Sequence, residues 1–471
     1  MDAKSIVMIA YHFPPEGNAA VYRPLRFLKG LVGKGWQARV ISCEPYGFER
    51  YDPALLEQLP SATQVVRVRG WDPWRAFQSR RGKEMKNRLS GLSTAEVRQI
   101  VAAHRVSWRA RLREWIRVAE SWVYRPDMAM PWIQPAIQAS LDLCQVSRPN
   151  VIWATIGPLS AGLVAYRTSV KTGIPYVLDF RDPWGLEYYP HEMRRPAWAK
   201  DIDNRNLCRI FTGAQSVVFM FESVAQSYLR AFPDALAPTK IYIIPNGFEG
   251  EVEQFVCAPG ERCTVLYAGT LSTYRYDILL EGLAQLKRQI PARAAQLRMV
   301  FVGEGLQRLA ERVAELDLHD MFEVRPPIPS AEVRGLQRKA HALLVLGRMP
   351  GRTAHDLVAG AKLFGYLQAG RPVIGIVPHD ETRRILSQVG SSLIADADSP
   401  DEVVTVLKQI LEAWSTGTLD RYVPSRAACE AYSSDRQILD LIAALNGAAS
   451  IVAPTVETPT ISKGVKSEVV R

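Results

Sequence analysis

Residues 5–43, SIVMIAYHFPPEGNAAVYRPLRFLKGLVGKGWQARVISC, read as a strand, a loop, a helix and a second strand. Ser5 to Ala10 is an apolar run, and His12-Phe-Pro-Pro-Glu-Gly-Asn18 breaks it. From about Ala20 to Lys34, Leu25, Leu28, Leu31 and Val32 recur at helical spacing, and Gly35 stops the helix. Gln37 to Cys43 is the next strand. Two apolar strands joined through a helix predict a parallel pair, and a parallel sheet needs helices on both faces.

The same pattern resumes at Asn150. Strands are expected at Val151 to Thr155, Tyr176 to Phe180, Ser216 to Met220 and Lys240 to Ile244, ending at Pro245-Asn246-Gly247. A second series begins at Thr264, with strands Thr264 to Ala268, Met299 to Val302, Ala342 to Leu346 and Pro372 to Ile376. Two such series around a Pro-Asn-Gly break predict an α/β protein of two doubly wound, Rossmann-like domains, with ligands at the carboxyl ends of the strands in the cleft between them. The expected boundaries are 1–245, with a basic helical insertion at about 72–126, then 246–430, a docking helix at 431–446 and a disordered tail at 447–471. That tail is rich in Ala, Thr, Pro, Ser and Val and lacks aromatics.

Composition narrows the class. The chain has 471 residues, 47% hydrophobic and 23% charged, which excludes a mainly disordered or collagen-like protein. No uncharged apolar run approaches the roughly 18–20 residues that span a bilayer. Ile6 to Ala10 is too short for a signal peptide, so the expected location is cytoplasmic. Six cysteines are scattered with no C-x-x-C pair, and seven histidines with no H-x-x-x-H, so neither a disulfide framework nor a zinc site is expected. The net charge is +10, and Arg80 to Arg125 alone holds twelve Lys/Arg against four Glu. Such a local excess points to an anionic surface or substrate.

Five segments, taken in order, resemble the retaining nucleotide-sugar transferases of glycosyltransferase family 4, which have the GT-B fold. They are Tyr11-His-Phe-Pro-Pro-Glu-Gly-Asn18, Asp179-Phe-Arg-Asp-Pro-Trp184, Ile244-Pro-Asn-Gly247, Tyr267-Ala-Gly-Thr270 and Lys362-Leu-Phe-Gly-Tyr-Leu-Gln-Ala-Gly-Arg-Pro-Val373. The resemblance covers roughly residues 5 to 440. It implies a metal-independent hexosyltransferase that needs no cofactor and takes a nucleotide-diphosphate sugar as substrate.

A diphosphate needs backbone N–H groups and cations. Helix N-termini after glycines supply the first, and the candidates are Gly17 with Asn18 and Ala359 with Gly360. The alternative for each glycine is a plain tight turn. For the cations, the resemblance implies a basic pair on the diphosphate, and Arg275 and Lys362 are the candidates with Arg352 third; an ordinary solvated arginine is expected at Arg348. Such a pair would stabilise the charge that builds on the leaving group. Arg181 and Asp182 occupy the place where family members carry a histidine and an aspartate near the transferred sugar. Asp179 is open between a structural ion pair and a functional role, and Trp184 between sugar stacking and core. Gly269, Thr270, Gly303 and Glu304 complete the donor side, where the resemblance puts the nucleobase against backbone near Gly303-Glu-Gly305 and Arg325-Pro-Pro327.

Two departures stand out. Many family members carry glutamates at the positions that hold Leu357 and Gly365 here, the later one binding the ribose. Losing a charged hydrogen bond costs on the order of 1.5–3 kcal/mol, and Asp356 is the neighbouring substitute. In the basic segment, Trp108, Leu112, Trp115, Ala119 and Trp122 recur at helical spacing beside Arg109, Arg113 and Arg117. The tryptophans are expected to pack inward and the arginines to face an anionic membrane or a lipid-linked acceptor. No helix–turn–helix or RNA-binding signature accompanies the charge, so nucleic acid is not expected. The expected function is transfer of a sugar to a lipid-linked saccharide in cell-surface or exopolysaccharide synthesis, peripherally at the inner face of the plasma membrane. The alternative is a catalytically degenerate scaffold of a polysaccharide-synthesis complex. An epimerase of the same fold is a third reading, with His12 and His355 the only histidines on cleft loops.

Overall fold

The computed structural model describes residues 4–44, 51–70, 122–188, 192, 194–257, 260–348 and 357–447. Most of the basic segment, with Trp108 and Trp115, lies outside the described residues, as do Arg352, His355, Asp356 and the tail from 448.

Two parallel sheets carry the chain. The first has strands β1 (Ser5–Ile9), β2 (Gln37–Cys43), β3 (Gln64–Val68), β4 (Val151–Ile156), β5 (Tyr176–Phe180), β6 (Ser216–Phe219) and β7 (Ile241–Ile243) in the order β3-β2-β1-β4-β5-β6-β7. The second has β8 (Cys263–Ala268), β9 (Leu297–Val302), β10 (Phe322–Arg325), β11 (Ala342–Leu346), β12 (Val373–Ile376) and β13 (Ile394–Ala395) in the order β10-β9-β8-β11-β12-β13. The strand order reverses between β1 and β4, where Ile6 pairs with Val151, and between β8 and β11, where Val265 pairs with Ala342. In an open parallel sheet, loops diverge at such a reversal and leave a crevice at the carboxyl ends.

Numbered helices have seven or more residues. The first sheet is covered by α1 (Tyr22–Gly33), α2 (Ile133–Val146), α3 (Ser160–Thr172), α4 (Ala197–Gly213) and α5 (Glu222–Ala231). The second has α6 (Asp277–Gln289), α7 (Gln307–Glu315), α8 (Ser330–Lys339), α9 (Lys362–Gln368), α10 (Glu381–Gln388) and α11 (Pro400–Thr416). Every residue of β1, β4, β5, β6 and β11 is buried, as continuous apolar runs predict for strands covered on both faces.

The last helix, α12 (Ser434–Leu445), returns to the first sheet. Ser433 caps it by accepting from the Arg436 amide. Its Ile438, Leu441, Ala444 and Leu445 share one apolar cluster with Phe27, Leu28 and Leu31 of α1. The two helices approach at Gly30, where an added Cβ would lie 2.2 Å from Ile438 Cγ1. Gly30→Ala is therefore expected to cost about 1–3 kcal/mol by overpacking. Adding Ile438→Ala should recover part of that loss, although Ile438→Ala alone removes buried apolar surface. Urea denaturation of the two single variants and the double variant measures the coupling, and strictly additive losses would refute the contact.

Candidate active site

On the first sheet, Asp179 stands one residue before the end of β5, and both its oxygens accept from Arg23. Arg23 of α1 donates from Nε to Oδ2 at 2.9 Å and from Nη2 to Oδ1 at 2.7 Å, and both side chains are buried. The same guanidinium donates to the carbonyls of Ile244 and Pro245 at 2.8 and 2.9 Å. Arg23 thus ties α1, β5 and the Pro-Asn-Gly segment together. Arg181 is also buried, and it donates to the Ala20 carbonyl at 2.9 Å and to the Gly157 carbonyl. It therefore binds together the loops after β1, β4 and β5. Trp184 packs in the core with Arg195 over its ring at 5.5 Å.

The loop after β1 carries the carboxylate of Glu16, a buried residue. It lies 2.8 Å from His12 Nδ1, and Asn18 Nδ2 donates to it at 2.5 Å. Asn18 Oδ1 accepts from the Ala20 amide at 2.9 Å and caps the turn that enters α1.

On the second sheet, Lys362 is the first residue of α9. Its ammonium donates to Tyr267 Oη at 2.5 Å and stands over the rings of Tyr267 and Tyr274 at 3.9 and 4.2 Å. Burial, and then the nearby charge of Arg348, push its pKa down to about 7. Gly269, at φ 135°, leaves room beside it: a Cβ there would sit 3.1 Å from Nζ. The Gly269 loop is backed by Gly303, at φ 149°, whose Cβ would meet the Gly269 carbonyl at 2.2 Å, so neither position admits a side chain without movement. Arg348 follows β11 and donates from Nη1 to Tyr188 Oη at 3.0 Å, a contact between the two sheets' loops. It also bonds Tyr274, and its Nε has no partner among the described residues. Asp182 acts electrostatically on Tyr188. Two cations, three tyrosines and a glycine loop thus converge at the reversal point of the second sheet and face the first.

No family model matches the chain. A D-inositol 3-phosphate glycosyltransferase from Kineococcus radiotolerans is 28% identical over 128 residues, which is 23% of this chain and 29% of that protein. The chain thus matches less than a third of the length of this curated relative. Among solved structures, a glycosyltransferase from Rickettsia africae ESF-5 superposes with TM-score 0.59 and 10% identity, covering 95% of this chain and 98% of the other. Sucrose-phosphate synthase from Thermosynechococcus elongatus gives 0.57 at 13% identity, covering 93% and 97%. TarM gives 0.59 at 10%, covering 94% and 99%.

The chain has the GT-B fold.

Within this GT-B frame several expectations need correction. At Gly17 and Asn18, the Asn18 side chain is spent on the cap and on Glu16, whose buried carboxylate disfavours an anion beside it. Arg181 has both Nη groups on backbone carbonyls, which makes it a positioning residue for the loops. Arg275 turns away to Asp398 at 2.6 Å, a partly exposed surface pair, and only its backbone N–H reaches the Gly347 carbonyl. Arg348, expected to be solvated, takes the place beside Lys362. Gly360 packs under the Tyr274 hydroxyl, 2.9 Å from where its Cβ would be, and α9 has only seven residues. Thr270 and Glu304 are exposed; their carbonyls accept from Tyr267 Oη and the Leu271 amide. At the two departure positions, the Leu357 carbonyl accepts from Ser223 Oγ at 2.9 Å, and a Cβ at Gly365 would meet nothing within 4 Å.

The sequence had marked Tyr267 only as part of a motif, Arg348 as an ordinary solvated arginine, and Tyr188 and Tyr274 not at all. The available signal was a Tyr or Arg within a few residues of a strand's carboxyl end. Among the described residues no helix is long and apolar enough to cross a membrane.

Proposed function

We propose that this GT-B chain is a glycosyltransferase that moves a sugar from a nucleotide-diphosphate sugar to an acceptor. The observation that carries the reading is the convergence of Lys362 and Arg348 beside the side-chain-free loop at Gly269. The glycosidic bond breaks as negative charge builds on the departing diphosphate. A preorganised ammonium and guanidinium in a water-poor pocket stabilise that charge more than they stabilise the ground state. Lys362 holds its ammonium between two tyrosine rings, so little reorganisation is needed when the anion arrives. Arg348 has a buried Nε with no partner among the described residues and reaches the first sheet through Tyr188, which supports a site between the donor side and the acceptor side.

The finer reading is a retaining, metal-independent transfer to a lipid-linked saccharide in surface or exopolysaccharide synthesis, by an enzyme resting peripherally on an anionic membrane. It is supported by the motif order and the basic charge of Arg80 to Arg125. A second reading, a donor-binding scaffold without turnover, is favoured by Gly365, where no carboxylate meets the open space. Calorimetric titration of UDP, GDP, ADP, CMP and dTDP into the full chain separates the readings from a folded protein without nucleotide affinity. Saturable binding of one diphosphate with release of free nucleotide from its sugar conjugate supports the transferase. Binding with no turnover supports the scaffold, and no binding by any of the five refutes both.

A further inference from the structure

A second cavity, of about 350 Å³, opens at the other end of the second sheet from Lys362. Its rim is set by Arg262 and His341, which precede β8 and β11, and by Lys339 at the end of α8. Thr264, Arg298 and Arg325 of β8, β9 and β10 line its wall, above an apolar floor of Leu266, Val300 and Leu336.

The charge is lopsided and fixed in place. Four of the lining side chains are cations, and Glu261 is the one carboxylate among them. Arg298 and Arg325 share a single carboxylate, that of Glu323. Arg262 is held by the carbonyls of Leu297 and Asp320 at 2.5 and 2.8 Å, contacts that orient it without neutralising it. Its buried Nε has no partner, and Lys339 makes no ion pair, among the described residues. His341 Nδ1 accepts from the Thr264 amide at 2.8 Å, so the neutral ring carries its proton on Nε2 and is a donor there.

We infer that this cavity binds a small soluble phosphate ester, at a site separate from the cleft. Guanidinium groups match phosphate oxygens two at a time. The apolar floor suits the body of a ligand that carries the phosphate, and the volume lies in the range of small-molecule sites. The inference does not depend on the transferase reading.

The test uses the full chain with Lys362→Ala, which removes one of the two cleft cations and weakens binding there. Glucose 6-phosphate is titrated by calorimetry, with glucose and sodium chloride at matched ionic strength as controls. One saturable site for glucose 6-phosphate is expected, weakened at least tenfold by adding Lys339→Glu at an exposed position. Arg325→Gln is the second variant and should weaken it likewise. Absence of saturable binding, equal response to chloride, or indifference to both variants would overturn the inference. So would cosedimentation with phosphatidylglycerol vesicles that Lys339→Glu abolishes while glucose 6-phosphate fails to bind, because the ligand would then be a lipid headgroup.

Discussion

Lys362→Met is expected to weaken nucleotide-diphosphate binding strongly, on the order of ten- to a hundredfold, while making the protein harder to unfold. The ammonium is largely withdrawn from water and has no carboxylate beside it among the described residues; its described neighbours are two aromatic rings, a hydroxyl and another cation. Its pKa falls from 10.5 to about 7 on folding. Between those values the unfolded chain binds more protons than the folded one, so this group's contribution to stability rises with pH. Its full penalty is present below pH 7 and disappears as pH rises through the unfolded value. Methionine removes the penalty and keeps the volume, and a gain on the order of 1 kcal/mol is expected. Urea denaturation of both proteins at pH 6.5 and pH 10 should show the largest gain at the lower pH. A methionine variant less stable than the parent at pH 6.5 would sink the account.

The same lysine sets the pH dependence of binding. A diphosphate brings negative charge to the ammonium and raises its pKa, so binding above pH 7 takes up a proton. Affinity should be flat below pH 7 and fall as pH rises above it. Titrations at pH 8 in buffers of different ionisation enthalpy report that proton directly. Loss of the charged contact in Lys362→Met should weaken binding at pH 6.5 by about 1.5–3 kcal/mol, on the order of ten- to a hundredfold.

The second large effect falls on a pair that does no chemistry. Asp179→Ala leaves the Arg23 guanidinium buried with two carbonyls and no counter-charge. Breaking a buried pair from one side costs about 3–5 kcal/mol, mostly from the stranded charge. Replacing both partners, Arg23→Met with Asp179→Leu, should recover much of the loss, because no charge is then left unpaired. Denaturation midpoints of the single and double variants measure this. A single variant within about 1 kcal/mol of the parent would show that water reaches the arginine, contrary to the burial seen here.

The fold was largely legible because the parallel strands are short apolar runs bounded by Gly, Pro and Asn, and such runs have few other structures available. The reversal of strand order gathers the loops after β1, β4, β8 and β11 at the carboxyl ends of the strands, where the motifs lie. Side-chain direction was not legible. Arg275 and Arg348 lie on adjacent loops, held together by a bridge between Tyr274 and Arg348. Only the local backbone turns one guanidinium to Asp398 and the other to Tyr188. The partner of Asp179 was hidden for a different reason: Arg23 lies 156 positions away in the chain. Asn18 looked available because nothing in its motif announced that Glu16 is buried beside it.

The return of α12 to the first sheet has a consequence for the order in which the protein is made. Synthesis runs from the amino end, and a domain can close only when all its parts have emerged. Phe27, Leu28 and Leu31 of α1 are completed by Ile438, Leu441 and Leu445. The half of the molecule that is translated first therefore waits, with that apolar seam uncovered, until the second sheet has passed through the ribosome. The later half can finish folding before the earlier one.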